Sequence, residues 1–175
     1  MISELHKSIR NVPDFPKKGI VFRDITTLLK DPKAFSASID AFYEKYKSER
    51  IDKVVGIESR GFIFGAPLAY KLGCGFVPVR KPKKLPAETL KEEYALEYGT
   101  DAVEVHIDAV SKGERVLLVD DLLATGGTIL AAAKLIERLG GNIIGLAFLI
   151  ELSFLNARPR LTSYDMFSLI QYDSE

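Results

Sequence analysis

An α/β domain built on a mainly parallel sheet, flanked by helices, is what this sequence predicts, on three observations. Apolar, β-branched runs of strand length recur along the chain: "KVVGI", "GFVPV", "ERVLLVD" and "NIIGLAFLIEL". Runs of helix length with an apolar face lie between them, the alternation that βαβ units produce. The strand runs are apolar at nearly every position, as in a sheet covered on both faces.

Taken in order, residues 3–10 predict a short helix with Leu5 and Ile9 on one side. "VPDFPKKGIVFRDIT" (12–26) is rich in Pro and Gly and predicts an irregular segment or short strand. Asp31 is placed to cap a helix whose first turn carries Pro32, and Phe35, Ile39, Phe42, Tyr43 and Tyr46 give that helix one apolar face. A strand at 53–57, a helix over "GFIFGAPLAYKLG" and a strand at 75–79 make a first βαβ unit. A strand at 114–120, a helix at 128–140 and a strand at 142–152 make a second. Between them, "RKPKKLPAETLKEEYALEYGT" is charged, carries two prolines and reads as a long excursion from the core, lid-like or disordered. Residues 1–175 hold no Pro/Gly/Ser linker and form one domain.

Composition removes several classes. At 175 residues, with 47% hydrophobic and 27% charged side chains, the chain buries a proper core and is not disordered. Lys plus Arg and Asp plus Glu both number 24, so there is no basic excess for nucleic acid. Cys74 is the only cysteine, which excludes an internal disulfide and suits a cytoplasmic protein. The N-terminal residues lack a signal-like apolar region, and no apolar stretch is long enough to span a membrane. His6, His106 and Cys74 are too few for a protein-built zinc site.

The chemistry is concentrated in "VLLVDDLLATGGT" (116–128). Thr125-Gly126-Gly127-Thr128 falls between a strand and a helix start, where free N–H groups and glycines make an anion site. Alone, "TGGT" is more readily a plain βα turn with a Thr N-cap. No Gly-Lys-Ser/Thr follows, so a nucleoside-triphosphate loop is the poorer reading. Asp120 and Asp121 directly upstream change the balance. Two carboxylates repel a bare polyphosphate but accept hydrogen bonds from vicinal hydroxyls, and phosphate donors beside hydroxyl acceptors describe a 5-phosphoribosyl group.

Three further stretches stay ambiguous by themselves. "ESRG" (58–61) is a strand-end turn with an exposed Arg or a second anion site. Arg80, Lys81, Lys83 and Lys84 are a solvated loop or the positive charge that pyrophosphate needs. "IVFRDI" (20–25) is a strand packing Ile20, Phe22 and Ile25, or part of a base pocket.

"VLLVDDLLATGGT" resembles the phosphoribosyl-pyrophosphate (PRPP) signature of the type I phosphoribosyltransferases. The chain is also similar to the adenine-specific branch of that family through "PDFPKKGIVFRDIT", "GIESRGFIFG", "VPVRKPKKLP", "YALEYGTD", "LAFLIEL" and "FSLIQY", with 153–164 the weakest part. The resemblance implies purine salvage in a homodimer: adenine plus PRPP giving AMP and pyrophosphate, with Mg²⁺ carried by PRPP. It implies a small hood over residues 1–30 and a flexible loop region at 80–102. Asp120 and Asp121 would hold the ribose hydroxyls, and Ala124, Thr125, Gly126, Gly127 and Thr128 the 5-phosphate. Ser59 and Arg60 would flank the leaving pyrophosphate, with a cis or strained Glu58–Ser59 bond. Arg80 and Lys84 would join them, Arg80 reaching toward a partner subunit's site. Glu97, beside Tyr98 on a closing loop, would handle the proton at adenine N7. Backbone groups of Val21 and Arg23 would read the adenine edge, with an apolar residue near Leu123 or Ala124 against the ring. Lys83 stands where many relatives have Gly, which leaves the local backbone open. Two rivals follow from the same motifs: an enzyme for another base, and a PRPP-sensing regulator without catalysis.

Overall fold

The computed structural model describes residues 2–96 and 98–175. A small N-terminal layer comes first. α1 (Ile2–Lys7) turns Leu5 inward, and β1 (Arg10–Pro13) pairs antiparallel with β2 (Val21–Asp24). The Pro/Gly-rich stretch therefore holds a two-stranded ribbon, its turn tied by the Asp14 carboxylate, which accepts from Gly19 N–H at 2.8 Å. α2 (Thr26–Leu29) leads into α3 (Pro32–Tyr46). Asp31 caps α3 as predicted, its Oδ1 accepting from the N–H groups of Lys33 at 2.9 Å and Ala34 at 3.3 Å. Ile39, Phe42 and Tyr46 form its buried face.

Then come β3 (Lys53–Ile57), α4 (Arg60–Leu72), β4 (Gly75–Val79), β5 (Thr89–Ala95) and β6 (Thr100–His106). β7 (Arg115–Leu123), α5 (Gly127–Arg138), β8 (Asn142–Leu152) and β9 (Met166–Tyr172) complete the chain. Five parallel strands form the central sheet in the order β4-β3-β7-β8-β9. β7 is the middle strand, which is why its sequence shows no polar alternation. Leu117 and Val119 pack with α3 and α4 on one face, while Val116 and Leu118 pack with α5 on the other. "FSLIQY", notable in the sequence only for its resemblance, is the edge strand β9.

Within the stretch expected as a flexible loop region at 80–102, residues 89–95 and 100–102 are strand. β5 and β6 pair antiparallel from Thr89–His106 to Ala95–Thr100, and the hairpin lies on α5. Its period of two is present, with Leu90, Glu92 and Tyr94 less exposed than Lys91, Glu93 and Ala95. Dense charge on both faces hid that period, because apolar content is the usual signal for a strand. Arg80 ties the hairpin to the sheet: its N–H donates to Glu104 C=O at 3.0 Å, and the Glu104 N–H donates back at 2.7 Å.

Lys83 adopts φ +65°, the left-handed conformation that costs a side chain roughly 1–2 kcal/mol and glycine almost nothing. The lysine is thus accommodated on a backbone suited to glycine. Lys83→Gly is expected to raise stability by about 0.5–1 kcal/mol, the relief offset in part by a freer unfolded chain. Urea unfolding checks this: an unchanged or lowered midpoint shows that the turn carries no strain at this residue.

Candidate active site

The carboxyl ends of β3 and β7 lie side by side, where parallel sheets of this kind place ligands. β3 runs into Glu58 and Ser59, whose peptide bond is cis, as the resemblance implied. Arg60 then opens α4. Between these ends lies a cleft of about 450 Å³, lined by Glu58, Ser59 and Arg60 on one side and Asp120, Asp121 and Thr128 on the other, with Lys81 and Leu122. A smaller hollow of about 80 Å³ adjoins it, formed by the loop from Leu123 to Thr128 together with Asp120 and Leu122. The two acids, Ser59, Arg60 and the whole Ala124–Thr128 loop are therefore one site.

Charge is balanced closely inside it. Asp121 is only 6% exposed, and Arg60 Nε donates to its Oδ2 at 2.6 Å. The Asp121 carboxylate raises the Arg60 guanidinium above its ordinary range, so the guanidinium stays charged. Asp120 turns back on the backbone, its Oδ1 accepting from Asp121 N–H at 2.8 Å. Burial, and then the Asp121 carboxylate beside it, push the Asp120 carboxyl well above its ordinary value. α4 approaches this closely because residue 61 is glycine. A Cβ there would stand 2.9 Å from both Asp120 Oδ1 and Val119 C=O.

The anion loop is built from backbone. Gly126, at φ +85°, is the N-cap of α5 and bonds through no side chain, so the plain turn with a Thr cap is not what forms. The first N–H groups of α5 have no intrahelical acceptor and point out of the helix start. Gly126 also packs tightly from below: a Cβ on it would lie 3.3 Å from Ala157 and 3.4 Å from Leu161. Arg160 Nη1 donates to Thr125 C=O at 3.0 Å. The segment 153–164, weakest in the family resemblance, is thus the floor of the loop. Glu151, 2% exposed, anchors it by accepting from Arg158 Nε and Nη2 at 2.7 Å each.

The basic segment is arranged differently from expectation. Arg80 Nη2 donates to Glu58 Oε1 at 2.9 Å, and Glu58 Oε2 accepts from Lys81 N–H at 2.8 Å. The Arg80 hydrogen bond holds the Glu58 carboxyl below its ordinary range. Lys81, not Lys84, lines the cleft, while Lys84 is exposed with its C=O accepting from Arg80. Glu58 and Lys81, which the sequence placed in the "ESRG" turn and the basic cluster without an individual role, both line the cleft.

Val21 and Arg23 do not line this cleft. They lie on β2, next to the end of β9, where the Arg23 guanidinium sits 4.0 Å from the Tyr172 ring centre. Val21 N–H points away from β1, toward Glu175 Oε2 at 3.2 Å. By strand alternation the Arg23 peptide faces the same free edge. Leu122, rather than Leu123, is the apolar side chain in both hollows; Leu123 is 1% exposed. Tyr98 is 81% exposed. Glu97 lies outside the described residues.

Strand-end acids, a glycine anion loop and a facing arginine turn define a phosphoribosyl-binding site, and comparison with known proteins agrees. The phosphoribosyl transferase domain family matches residues 24–174, and the chain belongs to that family. Within it, the chain is 60% identical over 170 residues to the adenine phosphoribosyltransferase of Solibacter usitatus, covering 97% of this chain and 98% of the relative. The crystal structure of the adenine phosphoribosyltransferase of Thermoanaerobacter pseudethanolicus superposes with a TM-score of 0.95 at 58% identity, covering 98% and 100% of the two chains. The Saccharomyces cerevisiae enzyme, solved with an imino-altritol bisphosphate and adenine, gives 0.91 at 43% identity over 96% and 97%. The chain stands in the adenine phosphoribosyltransferase branch.

Because the folded carboxyl of Asp120 titrates above its ordinary 3.8, the unfolded chain gives up that proton first. Asp120 therefore costs stability increasingly as pH rises above 3.8 and nothing well below it. Asp120→Asn keeps an acceptor for Asp121 N–H and is expected to melt higher than the wild type at pH 7, the gain vanishing toward pH 4, while kcat/KM for PRPP falls. Melting curves at several pH values check this, and a pH-independent difference contradicts the assignment.

Proposed function

We infer that this cleft performs the reaction of the adenine phosphoribosyltransferases, transfer of 5-phosphoribose from PRPP to adenine with release of pyrophosphate and formation of AMP. The observation that carries the mechanism is the junction of two chemistries at the end of β7: helix-start amides at 126–128 and carboxylates at 120 and 121, one on each side of Leu122. The amides and the Thr125 and Thr128 hydroxyls suit a 5-phosphate. Several charge-assisted bonds of about 1.5–3 kcal/mol each reach the roughly 8 kcal/mol of micromolar binding, which a helix dipole of about 0.3–1 kcal/mol does not. The carboxylates suit the ribose hydroxyls, and Asp121 holds Arg60 with its remaining N–H groups available to the departing pyrophosphate. Lys81 adds positive charge on the same side, where electrostatic stabilisation of the leaving group counts most.

Mg²⁺ fits this donor set, since Asp120 offers the hard oxygen that the ion accepts, and the metal prefers substrate phosphates and water to an all-protein cage. When bound it neutralises pyrophosphate charge. The free edge of β2 suits the base: a Val21 C=O accepts from the 6-amino group and an Arg23 N–H donates to ring nitrogen. A 6-oxo purine would leave that carbonyl facing another acceptor, a mismatch that discriminates strongly. Glu97 is assigned the proton at adenine N7. A cytoplasmic location is supported by the single cysteine, and among the described residues no helix is long and apolar enough to cross a membrane.

A homodimer is part of this reading, supported by Ile63 and Tyr70, which lie two turns apart on α4 and are 37% and 87% exposed. Sedimentation at micromolar concentration is expected to give twice 19.4 kDa, and Tyr70→Glu to shift it toward the monomer; a wild-type mass of 19.4 kDa refutes it. Pyrophosphate release from PRPP and Mg²⁺, followed with adenine, hypoxanthine or orotate, tests the activity. Adenine is expected to be preferred, and Glu97→Gln to lower kcat by about 10²–10⁴-fold with little change in binding. Preference for another base supports the first rival, PRPP binding without turnover supports the regulator, and full activity of Glu97→Gln removes that residue from the mechanism.

A further inference from the structure

We propose that Tyr94 is a positioning residue that holds the hydroxyl proton of Thr128 and surrenders it to the 5-phosphate, so that phosphate binding uncouples the β5–β6 hairpin from the start of α5. The inference rests on the reading that the 124–128 loop binds phosphate. Tyr94 and Asp101 open and close the motif "YALEYGTD", but the resemblance gave neither a role.

Counting protons fixes which bonds this cluster can make. Tyr94 Oη has three polar neighbours: Lys81 Nζ at 2.9 Å, Asp101 Oδ2 at 3.1 Å and Thr128 Oγ1 at 3.1 Å. A phenol has one proton to give and two lone pairs to accept with. Lys81 gives only. Asp101 also bonds Lys81 Nζ and its own strand's Ala102 N–H, and as a carboxylate it accepts only. The Lys81 bond holds its carboxyl below the ordinary range, so it is ionised at neutral pH. The phenol proton therefore goes to Asp101, and both lone pairs accept, one from Lys81 and one from Thr128. All three valences are used, and the single proton of Thr128 is committed to Tyr94.

A phosphate monoester likewise brings only acceptors. It cannot take the Thr128 proton while Tyr94 keeps it, so the two bonds exclude one another. The Tyr94 ring also leans on the loop: its Cδ2 lies 3.2 Å from the position of a Cβ on Gly127. Tyr94 stands three residues before Glu97 on the strand that leads to the hairpin tip, which Leu96 N–H closes onto Gly99 C=O at 3.0 Å. Occupancy of the phosphate loop is thereby communicated to the stretch that carries the proposed base-handling residue. Lys81 belongs to the same group and lines the pyrophosphate side of the cleft.

Ribose 5-phosphate is the probe, titrated calorimetrically into the wild type, Tyr94→Phe, Thr128→Val and the double variant, with steady-state PRPP kinetics alongside. Tyr94→Phe keeps the ring and removes the competing acceptor. It is expected to tighten ribose 5-phosphate binding by about two- to tenfold, the net worth of one neutral hydrogen bond. KM for PRPP should fall with kcat, since the hairpin and Lys81 lose their register. In the Thr128→Val background the same change should alter affinity by less than the error. A misfolded loop does not tighten binding, so this pattern separates positioning from mere support. Unchanged or weaker binding by Tyr94→Phe overturns the proposal, as does equal tightening with Val at 128. Should the wild type itself fail to bind ribose 5-phosphate, the phosphate reading falls and takes this inference with it; failure of the variants alone sinks only Tyr94.

Discussion

The ion pair between Arg60 and Asp121 is the constraint on which the site depends. A sheet covered on both faces leaves charge nowhere to go along its strands, so β7 carries its acids only near its carboxyl end. Even there Asp121 is nearly enclosed, and an enclosed carboxylate without a partner costs several kcal/mol. Arg60 answers it at 2.6 Å, and it does so because α4 begins against β7 through the side-chain-free surface of Gly61. Remove the close approach and the guanidinium no longer reaches; remove the guanidinium and the carboxylate is stranded. In the proposed mechanism the same contact fixes where the pyrophosphate side of the cleft lies relative to the ribose side.

From this pair the other charges take their places. Asp120 has no cation of its own and turns to a backbone N–H, while Glu58 draws Arg80 and Lys81 toward the end of β3. The cleft is therefore prepared as a set of compensated charges rather than a positive bowl. A substrate carrying phosphates and hydroxyls exchanges partners within this set. Such exchange is consistent with a neutral chain that handles a highly charged donor, because no excess field has to be maintained across the surface.

Much of this was legible in the sequence where local physics sufficed. The strand runs, the Asp31 cap, the apolar face of α3 and the two-chemistry junction at 120–128 were read from residue types alone. The hairpin was not, because Lys91, Glu92 and Glu93 mask an alternation that becomes visible only once α5 supplies a surface for Leu90 and Tyr94. Glu58 and Lys81 lay in stretches the sequence had marked, but their individual roles come from the side-by-side ends of β3 and β4, a tertiary fact that no local pattern encodes. Leu122, Leu123 and Ala124 all line the smaller hollow, the neighbourhood in which the resemblance placed an apolar contact, and of the three Leu122 also lines the larger cleft. Val21 and Arg23 sit on the strand edge of β2 away from β1, outside the lining of the cleft that holds the acids.

The floor beneath the anion loop has a consequence for how this chain tolerates change. Gly126 rests on Ala157 and Leu161, Arg160 grips Thr125 C=O, and Arg158 is clamped by the enclosed Glu151. The floor residues themselves are assigned no chemistry, and they lie in or beside 153–164, the part of the chain that least resembles the family. On the proposed reading a replacement there acts through shape: one that keeps the floor level is silent, and one that raises or lowers it by a fraction of an ångström registers as a loss of affinity at a ligand it never meets.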